Sequence, residues 1–279
     1  MTNKKNAAGL VQLSLFDIEL PPQDMQKEEE PKHIKTVSPA RVPDEEYSRK
    51  HGKVPTVKEI LKLMERGTYR AGAHEFLSDV FECGAIAISN QFDYQQSEKR
   101  EQRYLQIIKK YDRDMQELIT EVFAKIYLML TQQIDVGFSD YLGELFMQSE
   151  TMNKYTGQFF TPYQVSKLCA KMSIHPEVVA EHMEADSIIT LNEPACGAGG
   201  MVIAAADVLY NDYHFNIARN LLVECSDIDS RCVHMSYLQL GLAGIPAVIY
   251  RRNTLTMETW ERWETPAYIM QWNRFRNIL

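Results

Sequence analysis

The sequence lacks several features that would place it in a specialised class of protein. None of its apolar runs is as long as a membrane span, and no apolar segment follows the N-terminal lysines as in a signal peptide. Its five cysteines have neither the CxxC nor the Cys/His spacing of a zinc site, and they do not suggest a disulfide framework. We therefore expect a soluble cytoplasmic protein with no metal and no membrane partner.

Positive charge is also in short supply. The 279 residues include 30 Lys and Arg against 38 Asp and Glu, which gives a formal net charge of -8. Proteins that coat nucleic acid through bulk charge rely on clustered basic residues. The acidic balance argues against this mode of binding, although it is compatible with a local basic groove.

Large apolar residues are rare in residues 1–52, which contain five prolines and an acidic run at 28–30. Such a composition buries too little apolar surface to offset the entropy of the chain. We therefore predict a disordered tail. The following residues, 53–155, predict a helical domain.

One apolar island interrupts the predicted tail, "VQLSLFDIEL" at residues 11–20. Within it, "QLSLF" resembles the short peptide by which many bacterial proteins dock on the replication sliding clamp. The resemblance implies contacts from four side chains: Gln12, Leu13, Leu15 and Phe16. A chance match or a local helix staple is the alternative interpretation.

Helical signals are strong in the second region. "TVKEILKLMERG" begins with a Thr N-cap, has a Glu three residues later and ends on a Gly stop. Between residues 94 and 133, apolar residues recur at spacings of three and four: Tyr104, Ile108, Tyr111, Met115, Leu118, Val122, Ile126 and Met129. This face predicts the core of a helical bundle, with a dimerising coiled coil as the alternative.

The pattern changes from residue 186. Short apolar runs predict four strands: "SIITL" (187–191), "NLLVEC" (220–225), "PAVIY" (246–250) and "AYIMQW" (267–272). Helical patterns over 200–210 and 230–244 separate the first three of them. Strands that alternate with helices predict an α/β fold with parallel βαβ units.

The turn "LNEPACGAGGM" (191–201) joins the first of these strands to a helix. Glycines let the backbone approach a ligand, and a helix start offers free N–H groups, so the turn predicts a nucleotide-type cofactor site. A plain tight turn is the alternative, and the absence of GxGxxG disfavours a dinucleotide. An acid ending the next strand could accept ribose hydroxyls. Asp227 is our candidate, with Glu224 and Asp229 as rivals, and Asp229 best fits a helix N-cap.

Several motifs together resemble the adenine-N6 DNA methyltransferases, and most closely the modification subunit of type I restriction enzymes. The motifs are "DYLGELFMQ" (140–148), "TGQFFTP" (156–162), "NEPACGAGGM" (192–201), "SDID" (226–229) and "RNTL" (252–255). The resemblance covers about residues 56–279. It implies an incomplete Rossmann-like methyltransferase sheet over residues 156–279, a DNA substrate and a place in restriction–modification.

The resemblance also implies S-adenosylmethionine as the cofactor and assigns roles around it. The residues that would wrap the methionine end are Gln158, Phe159, Phe160, Thr161 and Pro162. The residues that would form the floor are Glu193, Ala195, Cys196 and Gly197, with Gly199 and Gly200 opening the helix. Asp227 would hold the ribose, and Asn253 would face the adenine ring of the cofactor. Ordinary core packing is the alternative for Phe159 and Phe160.

The sequence has no Asn-Pro-Pro-aromatic motif, which in this family binds the adenine amino group and stacks on a flipped base. By position, Asn273 is the candidate amino-group acceptor and Phe275 the candidate stacking ring. "TPAY" (265–268) is a rival remnant. The missing motif suggests a cofactor-binding relic, a chain completed by a second polypeptide, or the truncated product of a longer gene.

Three functions are compatible with these observations. The first is an S-adenosylmethionine-dependent DNA adenine methyltransferase, or one part of a split enzyme. The second is an inactive cofactor-binding module that regulates restriction–modification or acts at the sliding clamp for a mobile element. The third, a small-molecule methyltransferase, is disfavoured because "GQFFTP" (157–162) resembles the DNA-modifying branch.

Overall fold

The computed structural model describes residues 53–150, 160–276 and 278, and it also describes the backbone of residues 12–14. Residues 12–14 form a three-residue strand, β1 (Gln12–Ser14), within the region predicted as a tail. The predicted boundary between the helical and methyltransferase-like domains, at residues 155 and 156, lies outside the described residues.

The segment 53–150 is helical, as the sequence predicts. Its helices are α1 (Val57–Ala71), α2 (Ala73–Ser89), α3 (Ser97–Ile108), α4 (Arg113–Thr131), α5 (Gln133–Val136) and α6 (Tyr141–Glu150). The capping box before α1 is present: Glu59 N donates to Thr56 Oγ1 (3.2 Å), and Thr56 N donates to Glu59 Oε2 (2.9 Å). The predicted stop at Gly67 is wrong. The helix continues past it to Ala71, and the ring of Phe76 in α2 packs where a side chain at this glycine would lie.

The long helical pattern over 94–133 is two main helices, because the helix is interrupted by a turn between Ile108 and Arg113. The Asp112 side chain accepts a hydrogen bond from Met115 N (3.1 Å) and so starts α4. The predicted apolar face is confirmed: Met115, Leu118, Val122, Ile126 and Met129 are buried in the main core.

The second half alternates helices and strands. Its helices are α7 (Tyr163–Ser173), α8 (Pro176–Glu184), α9 (Gly200–Asp207), α10 (Ile217–Asn220), α11 (Ser230–Leu242), α12 (Pro266–Met270) and α13 (Trp272–Phe275). A single π-helical turn, Val208–Asp212, continues α9. Its strands are β2 (Ile189–Glu193), β3 (Leu221–Asp227), β4 (Ala247–Asn253) and β5 (Glu258–Glu264).

The strands form one mixed sheet in the order β1-β2-β3-β4-β5. The first three pairings are parallel, and β5 runs antiparallel to β4 at the margin of the described sheet. The predicted strands in "SIITL", "NLLVEC" and "PAVIY" are confirmed as β2, β3 and β4. Because these strands are parallel, their carboxyl ends meet at one edge and bring the polar motifs together.

The fourth predicted strand, over residues 267–272, is wrong, because this run forms α12 and the start of α13. Pro266 occupies the first turn of α12, where the missing N–H of proline costs no hydrogen bond. The strand that does pair with β4 is β5, "ETWERWE". The chain reverses direction after "RNTL" (252–255), at the end of β4, and β5 then runs antiparallel to β4.

One continuous apolar core joins the helical segment to one face of the sheet. It includes Phe81 and Val122 from α2 and α4 together with Leu191, Val223 and Ile249 from the three parallel strands. The other face carries a smaller cluster, in which Ile188, Leu222 and Val248 pack under Tyr268 and Phe275 of α12 and α13. The helical segment is therefore packed against the sheet.

Candidate cofactor site of the glycine turn

The glycine turn follows β2 at the carboxyl edge of the parallel strands. Gly197 (φ 53°) and Gly199 (φ 92°) both have left-handed backbone conformations, which side chains with a Cβ rarely adopt. Gly199 is the N-cap of α9, and Gly200 is its first residue. The prediction that these two glycines open the helix is confirmed.

Asp227, the last residue of β3, contacts this turn directly. Its Oδ2 accepts a hydrogen bond from Gly197 N (3.0 Å), and its Oδ1 accepts one from Asp229 N (2.9 Å). Both rivals have other partners. Asp229 is the N-cap of α11, as predicted, and Glu224 forms an ion pair with Arg252 (2.6 Å). Of the three acids, Asp227 is therefore the one that lies at the glycine turn.

Glu193, at the end of β2, is almost completely buried, with 1% of its surface exposed. Its Oε1 accepts a hydrogen bond from Ala195 N (3.1 Å), whereas its Oε2 is buried and has no hydrogen-bond partner. Burial raises the pKa of this carboxyl, and the nearby charge of Asp227 raises it further. A buried oxygen without a donor is costly, so this site suits a ligand that brings a donor or a positive charge.

The floor of the turn is held by hydroxyl groups from the two neighbouring strands. Pro194 O accepts hydrogen bonds from Thr254 Oγ1 (2.6 Å) and from Ser226 Oγ (3.3 Å). Neither hydroxyl was a predicted site residue. Their signal was their position inside "RNTL" and "SDID": Ser226 is the next-to-last residue of β3, and Thr254 directly follows β4.

Cys196 is buried beneath the turn. Its backbone N donates to Ser226 O (2.9 Å), and its thiol lies 3.4 Å from Ser236 Oγ, which in turn donates to Gly197 O (2.8 Å). The hydrogen bond with the Cys225 thiol and burial both raise the pKa of Cys196. A neutral buried thiol is a packing group rather than a nucleophile.

Phe160 forms an aromatic wall beside the turn. Its ring lies 5.4 Å from the ring of Phe146, and a Cβ at Gly197 would approach it to 3.1 Å. Phe160 is thus close to the predicted floor, and Phe146 from α6 is a neighbour that sequence reasoning missed. Thr161 and Pro162 are exposed and lead into α7. Gln158 and Phe159 lie outside the described residues.

The helix after this wall is tied to the helix after the glycine turn. The buried carboxylate of Asp207 in α9 accepts hydrogen bonds from Tyr163 Oη and Lys167 Nζ of α7, both at 2.6 Å. Asn211 Nδ2 donates to the other oxygen at 2.7 Å. Since Tyr163 begins α7, this contact fixes the position of the segment that carries Phe160.

Asn253 ends β4 near the same edge. Its Oδ1 accepts hydrogen bonds from Leu255 N (3.0 Å) and Thr256 N (3.2 Å), and so shapes the turn into β5. The structure gives Asn253 this turn-forming role. Contact with a cofactor adenine stays a prediction.

The sequence of this site matches a known family. The family model described as N-6 DNA methylase matches residues 137–276, half of the chain. The chain belongs to the N-6 DNA methylase family. No curated protein and no solved structure matches it.

The N-6 DNA methylase match confirms the resemblance to adenine-N6 methyltransferases at the level of the family. It begins before α6 and continues beyond β5, so it includes the segment of Asp140 and Phe146 as well as the glycine turn. Part of the helical segment thus belongs to the methylase family region, in agreement with the motif "DYLGELFMQ" (140–148).

Two residues within the matched range do not fit their predicted catalytic roles. Asn273 and Phe275 lie in α13, which contacts α10 at the amino end of β3. Gln271 Nε2, at the start of α13, donates to Ala218 O (2.7 Å), and Arg274 Nε donates to Arg219 O (3.2 Å). This is the edge of the sheet opposite to the glycine turn.

Phe275 is also completely buried (0% exposed) and stacks on Tyr268 at a centroid distance of 6.0 Å. A ring that already forms part of the core cannot stack on a substrate base. The rival remnant at 265–268 forms the start of α12, with Thr265 and Tyr268 buried, at the same amino edge of the sheet. We therefore correct both catalytic assignments.

The clamp-peptide residues lie outside the family match. The structure describes only the backbone of Gln12 and Leu13, in β1, which pairs with Thr190 and Leu191 of β2. Leu15 and Phe16 lie outside the described residues. Docking on the sliding clamp therefore stays a prediction.

Two kinds of feature are absent from the described residues. Over 53–150 and 160–276, no helix is both long and apolar enough to cross a membrane. No group of His, Cys, Asp and Glu in that part of the chain is arranged to hold a metal ion.

Proposed function

We propose that the glycine turn binds S-adenosylmethionine and that the chain takes part in methyl transfer to the N6 amino group of adenine in DNA. The observation that carries this proposal is Glu193 Oε2, a buried acceptor without a donor beside two left-handed glycines. S-adenosylmethionine brings an ammonium group and a sulfonium centre, which are suitable partners for this carboxylate. The family match supports the same cofactor.

Each part of the site has a role in this proposal. Glu193 would accept a hydrogen bond from the methionine end, and Asp227 would use its remaining lone pairs to accept the ribose hydroxyls. Phe160 would cover one side as an apolar and aromatic wall. When bound, the cofactor supplies a methyl group that is open to attack by a nucleophilic nitrogen. Glycine at position 197 lets the turn lie close to this ring, because a Cβ there would approach Phe160 to 3.1 Å.

The adenine-binding half of the reaction is assigned differently. The sequence has no Asn-Pro-Pro motif, and Asn273 lies at the far edge of the sheet. We propose that the acceptors for the adenine amino group come from outside these 279 residues, either from a second polypeptide, as in a split form of a type I modification subunit, or from further residues of a longer chain. The alternative is a cofactor-binding module that regulates restriction–modification without transferring a methyl group.

Calorimetric titration of the purified chain with S-adenosylmethionine, and in parallel with S-adenosylhomocysteine, tests the cofactor assignment. We expect micromolar binding, and Asp227→Ala should weaken it by about 1–3 kcal/mol, as expected for losing a charge-assisted hydrogen bond. A well-folded chain that binds neither ligand would contradict the proposal. Unchanged affinity in Asp227→Ala would contradict the role of that residue alone.

Transfer of a labelled methyl group to unmethylated DNA then separates the two functions. Activity that appears only with a second methyltransferase-like polypeptide would support the split enzyme. Cofactor binding without activity in the presence of every candidate partner would favour the regulatory module.

A further inference from the structure

A fully buried amide on α11 joins three separate parts of the molecule. Gln239 Nε2 donates to Ala198 O in the glycine turn and to Asp140 Oδ1, both at 2.7 Å. Gln239 Oε1 accepts a hydrogen bond from Leu142 N (3.2 Å) at the start of α6. The two donors and the acceptor of this amide are thus all engaged without solvent.

Asp140 is the partner in the helical segment, and it lies against the glycine turn. Its Oδ1 also accepts a hydrogen bond from Gly143 N (2.9 Å). Its Oδ2 lies where a Cβ at Gly200 would approach it to 2.5 Å, and a Cβ at Gly143 would approach it to 2.1 Å. Glycine at both positions lets this carboxylate reach the first residue of α9, where a helix start favours negative charge.

The residue that Gln239 holds is the one between the two left-handed glycines. Ala198 follows Gly197 (φ 53°) and precedes Gly199 (φ 92°). Glycines have the most backbone freedom of all residues, so a turn built on them needs outside contacts to keep one conformation. Gln239 supplies such a contact at the centre of the turn.

We propose that Gln239 and Asp140 are positioning residues, which fix the conformation of the glycine turn and thereby set its affinity for the cofactor. The helical segment around Asp140 is then part of the cofactor site. The cofactor half of this inference rests on the proposed function, whereas the conformational half does not.

The chain offers a matched control for Gln239. Gln133 is also fully buried, and its Nε2 donates to the main-chain oxygen of Gln239 (3.3 Å), but its side chain does not bond the glycine turn. Gln239→Leu and Gln133→Leu therefore remove the same kind of buried amide from the same interface. Only the first removes the contact with Ala198.

Hydrogen exchange of the ligand-free protein, followed by mass spectrometry of peptides over residues 194–203, measures the order of the turn. We expect exchange in this peptide to be about tenfold faster in Gln239→Leu than in wild type, with affinity for S-adenosylmethionine about tenfold weaker. Gln133→Leu should lower the melting temperature less, because Gln133 makes one long hydrogen bond and its Oε1 has no partner, and it should leave both quantities within about twofold of wild type.

A conservative variant protects the test against simple misfolding. Asp140→Asn keeps an oxygen at the Oδ1 position and should retain cofactor affinity within about threefold, whereas Asp140→Leu should lose about tenfold. Equal changes in the exchange of the turn for Gln239→Leu and Gln133→Leu would overturn the inference, as would full protection of the turn in both. The two variants could show the expected exchange differences while the wild-type chain binds no S-adenosylmethionine. That result would support the positioning role and contradict the proposed cofactor.

Discussion

The two edges of the sheet are built on opposite principles. At the carboxyl edge, Glu193, Asp227 and the glycine turn bring polar groups together, and the buried Glu193 Oε2 has no donor. At the amino edge, Tyr268 and Phe275 close over apolar strand residues with parallel rings. The comparison shows where a ligand can contribute: at the first edge the buried oxygen of an acidic side chain lacks a donor, whereas at the second edge two aromatic rings fill an apolar cluster and main-chain oxygens are bonded by Gln271 and Arg274.

Phe275→Ala should give the largest effect, and it tests the packed amino edge. Removal of a buried phenyl ring should lower the free energy of unfolding by about 3–5 kcal/mol, through lost burial and the cavity left behind. Affinity for S-adenosylmethionine, measured by calorimetry on the folded fraction, should not change. A large loss of affinity in a stably folded variant would restore a functional role for α13.

Glu193→Gln should give the next largest effect, at the polar edge. Its affinity for S-adenosylmethionine should fall by about 1.5–3 kcal/mol, because a charged acceptor for the ligand is lost. The free energy of unfolding of the ligand-free protein, measured with denaturant, should stay constant or rise, since a buried carboxylate becomes neutral.

Glu224→Gln on the neighbouring strand is the matched control. Arg252, its partner, has a side chain that is only 8% exposed, so the substitution leaves a buried cation without its ion pair. We expect lower stability with unchanged affinity, the reverse of Glu193→Gln. Similar behaviour of the two variants would remove the distinction between a ligand-binding acid and a structural one.

Two glycines with left-handed backbone, one near each edge of the sheet, allow a test with smaller expected effects. Gly199 (φ 92°) lies in the turn, and Gly244 (φ 71°) follows α11 near the amino edge, where an added Cβ would have no atom within 4 Å. Alanine at either position should cost about 1–3 kcal/mol of stability through backbone strain. Only Gly199→Ala should also weaken the binding of S-adenosylmethionine, as calorimetry would show. Equal affinity losses would mean that the strain acts through the whole fold.

The pH dependence of stability should be the smallest effect. Burial raises the pKa of Asp140, Glu193 and Asp227 in the folded protein, so the folded state holds protons more tightly than the unfolded state. The contribution of these three carboxyls to the free energy of unfolding is therefore greatest below their ordinary pKa of about 4. It falls as pH rises through their raised pKa values in the folded protein. Denaturant titrations of the ligand-free protein at a series of pH values should show this slope. The double variant Glu193→Gln/Asp227→Asn should flatten it, and an unchanged slope would assign it to other groups.

Local patterns predicted much of the carboxyl edge. The alternation of "SIITL", "NLLVEC" and "PAVIY" with helices placed three parallel strands, and the motifs after them fixed Asp227 and the glycine turn at one edge. This inference succeeded because the carboxyl ends of parallel strands must meet.

The C-terminal part failed for a physical reason. "AYIMQW" is a short apolar run, which periodicity cannot assign to a strand or to a buried helix. Thr265 and Pro266 before it formed a helix start that was visible in the sequence and that better fits the observed α12. β5 was missed because Trp263 is its one buried side chain, and its other positions are largely charged or exposed.

The hydrogen bonds of Gln239 could not be predicted from local patterns. Its partner Asp140 is 99 residues away in sequence, and neither residue carries a signal of its own beyond its motif. Contacts of this kind depend on how α6 packs against α11, which follows from the three-dimensional core rather than from spacing.

The charges of β5 also affect how the protein meets copies of itself. A sheet margin offers free backbone groups to any passing strand, and long apolar margins promote aggregation. Here the marginal strand carries Glu258, Glu261, Arg262 and Glu264. Two such margins approaching each other would bring acidic side chains together, so the strand that was hardest to recognise is also the one that discourages fibre-like self-association.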